Sequence, residues 1–301
     1  MSLTDRPGLG ISLRILSGVL MAGMYVCVKA VSDHVPLGEI VFFRSFFALF
    51  PLVLFLYVRN EFPHGLATKR PFDHFLRASF GALSLFASFA ALARLSVAEA
   101  ILIAQLSPML TAVGAVFLLA ERLTAWRIIG LLLGFSGVLM LVWPELGGSE
   151  IETLRLIGIS LGLASAVLSA LSLIMVRHLS STESPGAIAL YFVLASMVGA
   201  LFTIPWGWIM PEGATAVLLI GAGLFGGVSH IAMTLSFRFA EASRLAPFEY
   251  IAFLWPLLAD LMIFSLPLST SFLLAAPLVF AGAAVAAMER REQGKARKLL
   301  Q

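Results

Sequence analysis

Ten apolar runs, each close to the length of a bilayer crossing, follow one another along the chain with little between them. They occupy residues 10–31, 38–58, 73–94, 97–119, 124–142, 155–178, 186–209, 214–237, 243–264 and 269–288. A helix needs about 20 apolar residues to cross the hydrocarbon core. The breaks carry turn chemistry or charge: Ser32-Asp33-His34 before Pro36, Trp143-Pro144 followed by Gly147-Gly148, and Ser184-Pro185-Gly186. The longest connections are only 59–72 and 143–154. The expected fold is therefore an all-α polytopic membrane protein with ten transmembrane helices. The first run is too long for a cleaved signal peptide, and Lys29 and Asp33 stand where small residues would be needed.

Composition sharpens the exclusion. Of 301 residues, 60% are hydrophobic and 12% charged, about half the charge that soluble domains carry. That excludes a disordered chain, a nucleic-acid-binding domain and an ordinary soluble enzyme. After ten helices there is no room for a separate catalytic or nucleotide-binding domain. The single cysteine, Cys27, allows no internal disulfide and no cysteine metal site, and reads as a small core hydrophobe.

Lys and Arg in the connections set the orientation. With the N-terminus in the cytoplasm, 16 of the 20 Lys and Arg residues fall on the inside, among them Arg14, Arg59, Arg77 and the tail Arg290 to Lys298. Lys29, Arg44, Arg94 and Arg155 lie at or near outer ends, and the acidic loop with Glu145, Glu150 and Glu152 is outside. An even number of helices returns the C-terminus to the cytoplasm. The basic balance is thus mostly a topology signal, and the tail can also touch anionic lipid.

The chain repeats itself. Gly10-Ile11-Ser12-Leu13 recurs as Gly158-Ile159-Ser160-Leu161, and at this shift of 148 Ser17 meets Ser165 and Gly38 meets Gly186. Eleven of the 29 positions from 10 to 38 are identical without a gap, which sets the match apart from the chance similarity of apolar helices. Later the shift is near 145: Phe80-Gly81 meets Phe225-Gly226, Ser84 meets Ser229, and Phe135 and Gly137 meet Phe280 and Gly282. The unit has five helices, an odd number, so the second copy enters the membrane from the opposite side. Two inverted five-helix repeats are the plan from which alternating-access transporters are built. The expected division is 1–142 for the first repeat, 143–154 for a periplasmic linker, 155–288 for the second repeat and 289–301 for a basic cytoplasmic tail.

These residues resemble a known group. Ala98-Glu99-Ala100 through Pro108 to Glu121-Arg122-Leu123-Thr124, then Gly130 and Gly137, is similar to the drug/metabolite transporter superfamily in its EamA-type branch. Phe42-Phe43-Arg44 looks like that family's arginine in helix two. Ala246-Pro247-Phe248-Glu249-Tyr250 and Trp255-Pro256 look like members that export amino acids, including the aromatic amino acid exporters. The resemblance implies that helices three, four, eight and nine line a central cavity, with five and ten more peripheral. One departure is that Leu266, beside Pro267, stands where the second half often has an acid matching Glu121. A role for that acid cannot be symmetric here.

The residues themselves nominate a site. Pro108, Pro247 and Pro256 interrupt helices, and a proline frees a carbonyl. Lipid tolerates that where the helix faces protein or water, so these are hinge candidates or static packing kinks. Tyr250 and Phe253 can share a wall with Pro247, and with Trp255 could hold an ammonium group by cation–π contact, unless they are core or lipid-facing aromatics. Ionisable groups within spans are expensive and point to function. They are His230, Glu249, Asp260 and Arg44. Arg44 could clamp a substrate carboxylate or pair structurally with Asp260, Glu99 or Glu39. Lys29 reads as a snorkelling end residue. Gln105, Ser84, Ser88 and Thr234 are neutral hydrogen-bonding candidates. Gly223 and Gly227 form a small-xxx-small face, with Gly227 a further hinge candidate.

Other chemistry is absent from the sequence: there is no GxxxxGK[ST], HExxH, GxSxG or CxxC, and the five histidines form no metal-ligand pattern. The expectation is not an enzyme and calls for no cofactor and no metal. It is an inner-membrane secondary transporter or uniporter exporting amino acids, aromatic or other apolar ones among them, or related small metabolites. Glu249 and Asp260 are the candidates for proton coupling. The alternatives are a multidrug, nucleotide-sugar or other metabolite carrier, and an intramembrane enzyme or receptor-like protein. The expected partners are a small-molecule substrate and the lipid bilayer, with no nucleic acid. The oligomeric state is open, and a monomer suffices for the plan.

Overall fold

The computed structural model describes residues 6–63, 66–119, 125–144, 150–179, 182–240, 245, 248 and 252–299. Among them there are helices and no strands. In chain order the helices are α1 (Pro7–Val31), α2 (Leu37–Val58), α3 (Pro71–Leu92), α4 (Val97–Ala104), α5 (Leu106–Leu119), α6 (Ala125–Val142), α7 (Glu150–Leu179), α8 (Pro185–Leu201), α9 (Gly213–Phe239), α10 (Leu254–Met262) and α11 (Thr270–Leu299). Five stretches are long and apolar enough to cross a membrane: Pro7–Val31, Leu37–Val58, Pro71–Leu92, Thr153–Leu179 and Gly213–Phe237. Shorter apolar stretches are Val97–Thr111, Ile128–Val142, Pro185–Leu201 and Thr270–Val285. The ninth run, 243–264, is described as a helix only over Leu254–Met262 and at isolated positions before it.

Local chemistry explains the boundaries. Pro7, Pro71 and Pro185 open α1, α3 and α8, where a missing N–H costs nothing. Ser96 and Glu99 form a reciprocal capping box on α4. The seventh run was expected to reach 209, yet α8 ends at Leu201. Pro205 follows, the chain makes a short 3-10 turn over Ile204–Trp206, and Gly207 takes a positive φ of 88°. The fourth run divides at Gln105 into α4 and α5. Pro108 cannot bond to the carbonyl four residues back, and its ring crowds that carbonyl. Pro256 stands at the same third position of α10 as Pro108 does in α5, and the two prolines are 148 apart.

The packing is matched between the halves. α1 lies on α9 and α3 on α7, α2 touches both α8 and α9, and α6 packs on α11. Glycines set the closest approaches. Gly10 faces Ala240, and Gly158 faces Arg94 and Leu95. Gly38 faces Thr203, and Gly186 faces Leu56. Gly137 meets Ala275 and Val279, while Gly282 meets Gly130 and Gly134. Two buried serine pairs repeat the match. Ser229 Oγ donates to the Ser17 carbonyl at 2.8 Å, with the two hydroxyls 3.3 Å apart. Ser84 and Ser165 donate to each other's carbonyls, both at 2.9 Å.

The outer surface is apolar. Phe46, Phe50, Leu54 and Tyr57 form an exposed stripe along α2 at helical spacing, with Leu54 63% and Tyr57 69% exposed. Water would penalise such a stripe; lipid does not. A groove of about 930 Å³ between α3 and α8 is walled by exposed apolar side chains such as Phe75, Leu83 and Phe202. It belongs to this lipid-facing surface.

Candidate functional site

A cavity of about 250 Å³ lies between α1, α4, α9 and α10. Arg14, Ser17 and Tyr25 of α1, Gln105 at the α4–α5 break, Met233 of α9, and Phe253 and Pro256 at the start of α10 line it. Both proline-associated breaks thus open onto one space. The Gln105 N–H is shared between the Ile101 and Leu102 carbonyls, at 3.2 Å each, leaving its amide side chain to the cavity wall. Behind Tyr25 stand Ser88 of α3, whose side chain meets its hydroxyl, and Arg44 of α2, within electrostatic reach of it; neither lines the cavity itself.

The face of α9 that turns inward reads Gly226, His230, Met233. A Cβ on Gly226 would stand 3.4 Å from Nε and Nη2 of Arg44, and Met233 lines the cavity. His230 lies between them with its side chain exposed, and Arg44 and Arg77 are both within electrostatic reach of it. Thr234 donates its hydroxyl to the His230 carbonyl at 2.8 Å, so that hydroxyl is used within its own helix. Arg44 is 3% exposed. The other small face of α9 meets α2 directly. A Cβ on Gly227 would be 2.6 Å from the Pro51 ring, and Gly223 abuts Phe47.

Asp260 has a defined structural task. Its Oδ1 accepts from the Val97 N–H at 2.9 Å and its Oδ2 from the Ala98 N–H at 2.7 Å. Its carboxylate therefore caps the start of α4, satisfying N–H groups that have no partner within the helix. Two more ties lie alongside. Glu99 pairs with Arg155 of α7 at 2.8 Å, and Lys29 Nζ donates to the Leu92 carbonyl at the end of α3 at 2.9 Å. Lys29 thus caps a helix C-terminus. Together these bonds close one end of the bundle around a polar pocket of about 390 Å³.

Other nominated residues fall as follows. Ser84 is committed to α7 through Ser165. Phe253 stacks on Phe272 and meets Phe280 edge-on at 4.7 Å, while still lining the cavity. Trp255 packs near Gly18, with its Nε1 buried and unpartnered. Pro247, Glu249 and Tyr250 lie outside the described residues. Arg77, counted in the sequence as a cytoplasmic marker, turns in between the helices with its guanidinium 4.4 Å from the Phe192 ring centroid. Its place two turns into an apolar helix was the available signal. Tyr25 carried none, because one tyrosine in an apolar run reads as packing. At the other end of the molecule, in the α7–α8 connection, Glu183 meets His74 at 3.3 Å. Burial opposes ionisation of Glu183. Hydrogen bonds from His74, the Lys69 N–H and Thr68, with the His74 charge, nevertheless hold its carboxyl below the usual range.

Comparison with known proteins agrees with this architecture. Residues 8–143 match the EamA-like transporter family. The chain is 30% identical to the pseudopaline exporter of Pseudomonas aeruginosa over 80% of its own length and 83% of that protein's. It is 30% identical to the riboflavin transporter of Rhizobium johnstonii over 62% of its own length and 61% of that protein's. A solved crystal structure superposes with a TM-score of 0.64 at 20% sequence identity, covering 92% of this chain and 97% of its own, which shows a shared fold. A cavity framed by broken helices, an apolar exterior and these relatives together place the chain: it belongs to the EamA-like transporter family, as a multi-pass membrane protein that moves small molecules.

Proposed function

We propose that this protein is an inner-membrane secondary transporter or uniporter that exports amino acids or related small metabolites by alternating access. Ten transmembrane helices in two inverted five-helix repeats, residues 1–142 and 155–288, form the working unit. A periplasmic linker over 143–154 joins them, and a basic tail over 289–301 shares the cytoplasmic face with the N-terminus. The single observation that carries this reading is the pair of helix breaks at Gln105–Pro108 and Phe253–Pro256, repeat-related and opening onto one cavity. The serine pairs Ser17–Ser229 and Ser165–Ser84, which exchange under the sequence shifts, support the two-fold relation. The protein carries out no chemistry on its substrate, because the groups around the cavity bind and position.

In this reading the seam of Asp260, Glu99–Arg155 and Lys29 is the outer gate, and the bundle rocks about the two breaks to open it. A proton arriving at Asp260 would cancel the charge that holds the Val97 and Ala98 N–H groups, which ties energy coupling to gate opening. Lys29, Arg94, Glu99 and Arg155 are the other charged groups at that seam. Glu249 is the second coupling candidate. The test is flux into liposomes across the amino acids and small metabolites, with and without a pH gradient. Saturable flux of at least one class is expected. Turnover without vectorial movement would overturn the transport reading, and uphill accumulation unchanged by the gradient would remove proton coupling.

A further inference from the structure

Two arginines inside the bundle have no acid of their own among the described residues. Arg44 is buried with its Nε unpartnered, and Arg77 has Nε and Nη1 buried and unpartnered. The three acids that the sequence offers to Arg44 are used elsewhere. Asp260 holds the start of α4, Glu99 holds Arg155, and Glu39 accepts from the Ile209 N–H at 3.0 Å. Among the described residues no carboxylate forms an ion pair with either arginine. The fold makes room for both. Gly226 lies against Arg44, where a Cβ would come into ordinary contact with its Nε and Nη2 at 3.4 Å, and a Cβ on Gly81 would stand 2.8 Å from Nη1 of Arg77. These two glycines are repeat-related.

A charge within a span is expensive even on insertion scales, and each buried unsatisfied donor adds to that. Two such arginines beside His230 form a positive region with vacant N–H donors. A ligand of opposite charge is what offsets it. An amino-acid zwitterion brings an ammonium group that the two arginines repel. Among the described cavity residues no acid stands ready to hold that ammonium, and Phe253, one of the aromatics nominated for it, is stacked against Phe272. The volume of about 250 Å³ suits a compact molecule.

We infer that the central cavity takes organic anions, compact metabolites with net negative charge, whose carboxylate reaches past Tyr25 to Arg44, with Arg77 adding to the positive charge and the neutral His230 beside them as a hydrogen-bonding group. This rests on the transporter reading above and narrows its substrate class. The probes are two charge series: phenylalanine amide, phenylalanine and N-acetylphenylalanine, and glutamine, glutamate and N-acetylglutamate. Two readouts run in parallel on the full-length protein, thermal stabilisation in detergent and flux in liposomes. The acetylated anion of at least one series should stabilise the protein and outrun its zwitterionic counterpart by about tenfold, with the amide inert. Arg44→Gln should erase the preference and Arg44→Lys retain part of it. Arg59→Gln, at the far end of α2 and paired with Glu61, should behave as wild type. Should Arg44→Gln not fold, Arg77→Gln is to give the same loss of preference.

The inference is overturned if the zwitterion or amide is preferred, if no anion stabilises the protein, or if folded Arg44→Gln keeps the preference. Equal flux of zwitterion and anion would sink it while leaving the transporter reading intact. Stabilisation by anions without flux of any probe would do the reverse.

Discussion

Replacing Asp260 by Asn tests the outer gate most directly. The carboxylate accepts two short bonds from the first N–H groups of α4, at 2.9 and 2.7 Å. Asn has one acceptor oxygen, so one bond survives in neutral form, and its NH2 faces the other N–H donor to donor. Hydrogen bonds to charged groups contribute about 1.5–3 kcal/mol each. Losing one and weakening the other should cost the closed seam about 2 kcal/mol, or roughly a thirtyfold shift toward opening. Val97 is fully buried at this seam. Val97→Cys in a Cys27→Ser background supplies a single reporter thiol for a membrane-impermeant maleimide. The labelling rate should rise by about tenfold or more when Asp260→Asn is added, while expression and α-helical circular dichroism stay unchanged. An unchanged labelling rate in a folded protein would refute the reasoning, because the seam would then be held by something other than this cap.

Three further outcomes follow from the packing. Gly227→Leu should abolish flux and Gly227→Ala reduce it, with membrane insertion intact, because even a Cβ would meet the Pro51 ring at 2.6 Å and overpacking costs about 1–3 kcal/mol; wild-type flux from correctly inserted Gly227→Leu would contradict this. Ser17→Ala with Ser229→Ala, and Ser84→Ala with Ser165→Ala, should lower the melting temperature to similar extents, each pair losing about 1 kcal/mol, and a large inequality would argue against the two-fold relation. The depressed Glu183 carboxyl stabilises the fold above its unfolded-state value of about 4. That contribution is lost as pH falls through the lower folded value, so Glu183→Gln should flatten the acid limb of the melting-temperature profile below about pH 4, and an unaltered acid limb would exclude it.

The helices were legible because lipid demands long apolar runs, and the repeat because Gly10-Ile11-Ser12-Leu13 recurs without a gap. Pro108 announced a break in the fourth run, and the break stands one turn earlier at Gln105, where the proline's missing bond and ring act on the preceding turn. Asp260 was visible as a buried acid, but its partners are more than 160 residues away in sequence, and no spacing encodes such a contact. Arg77 read as an orientation marker because Lys and Arg near helix ends normally report it. Its contact with Phe192, more than 100 residues away in sequence, adds a packing role that no spacing encodes.

Symmetry and function divide the residues between them. Under the repeat shifts the packing contacts are kept: serine pairs with serine, Gly10 on Ala240 answers Gly158 on Leu95, and Pro108 answers Pro256. The larger polar residues in and near the cavity are not kept. Arg44 corresponds to Phe192, Arg77 to Ala222, His230 to Leu85, Gln105 to Phe253 and Tyr25 to Leu173. A two-fold scaffold lets the halves exchange conformations at little cost, because each arrangement uses equivalent contacts. A two-fold site would face a substrate with identical groups on both sides, whereas a small metabolite has a charged end and an apolar end. Each polar residue in one half instead opposes an apolar one in the other. Phe192 under Arg77 shows the consequence, since the residue standing where the second half would hold its own arginine serves as the aromatic platform for the first half's. In the proposed transport cycle the symmetry would serve the movement, and its local failure would serve the binding of an asymmetric substrate.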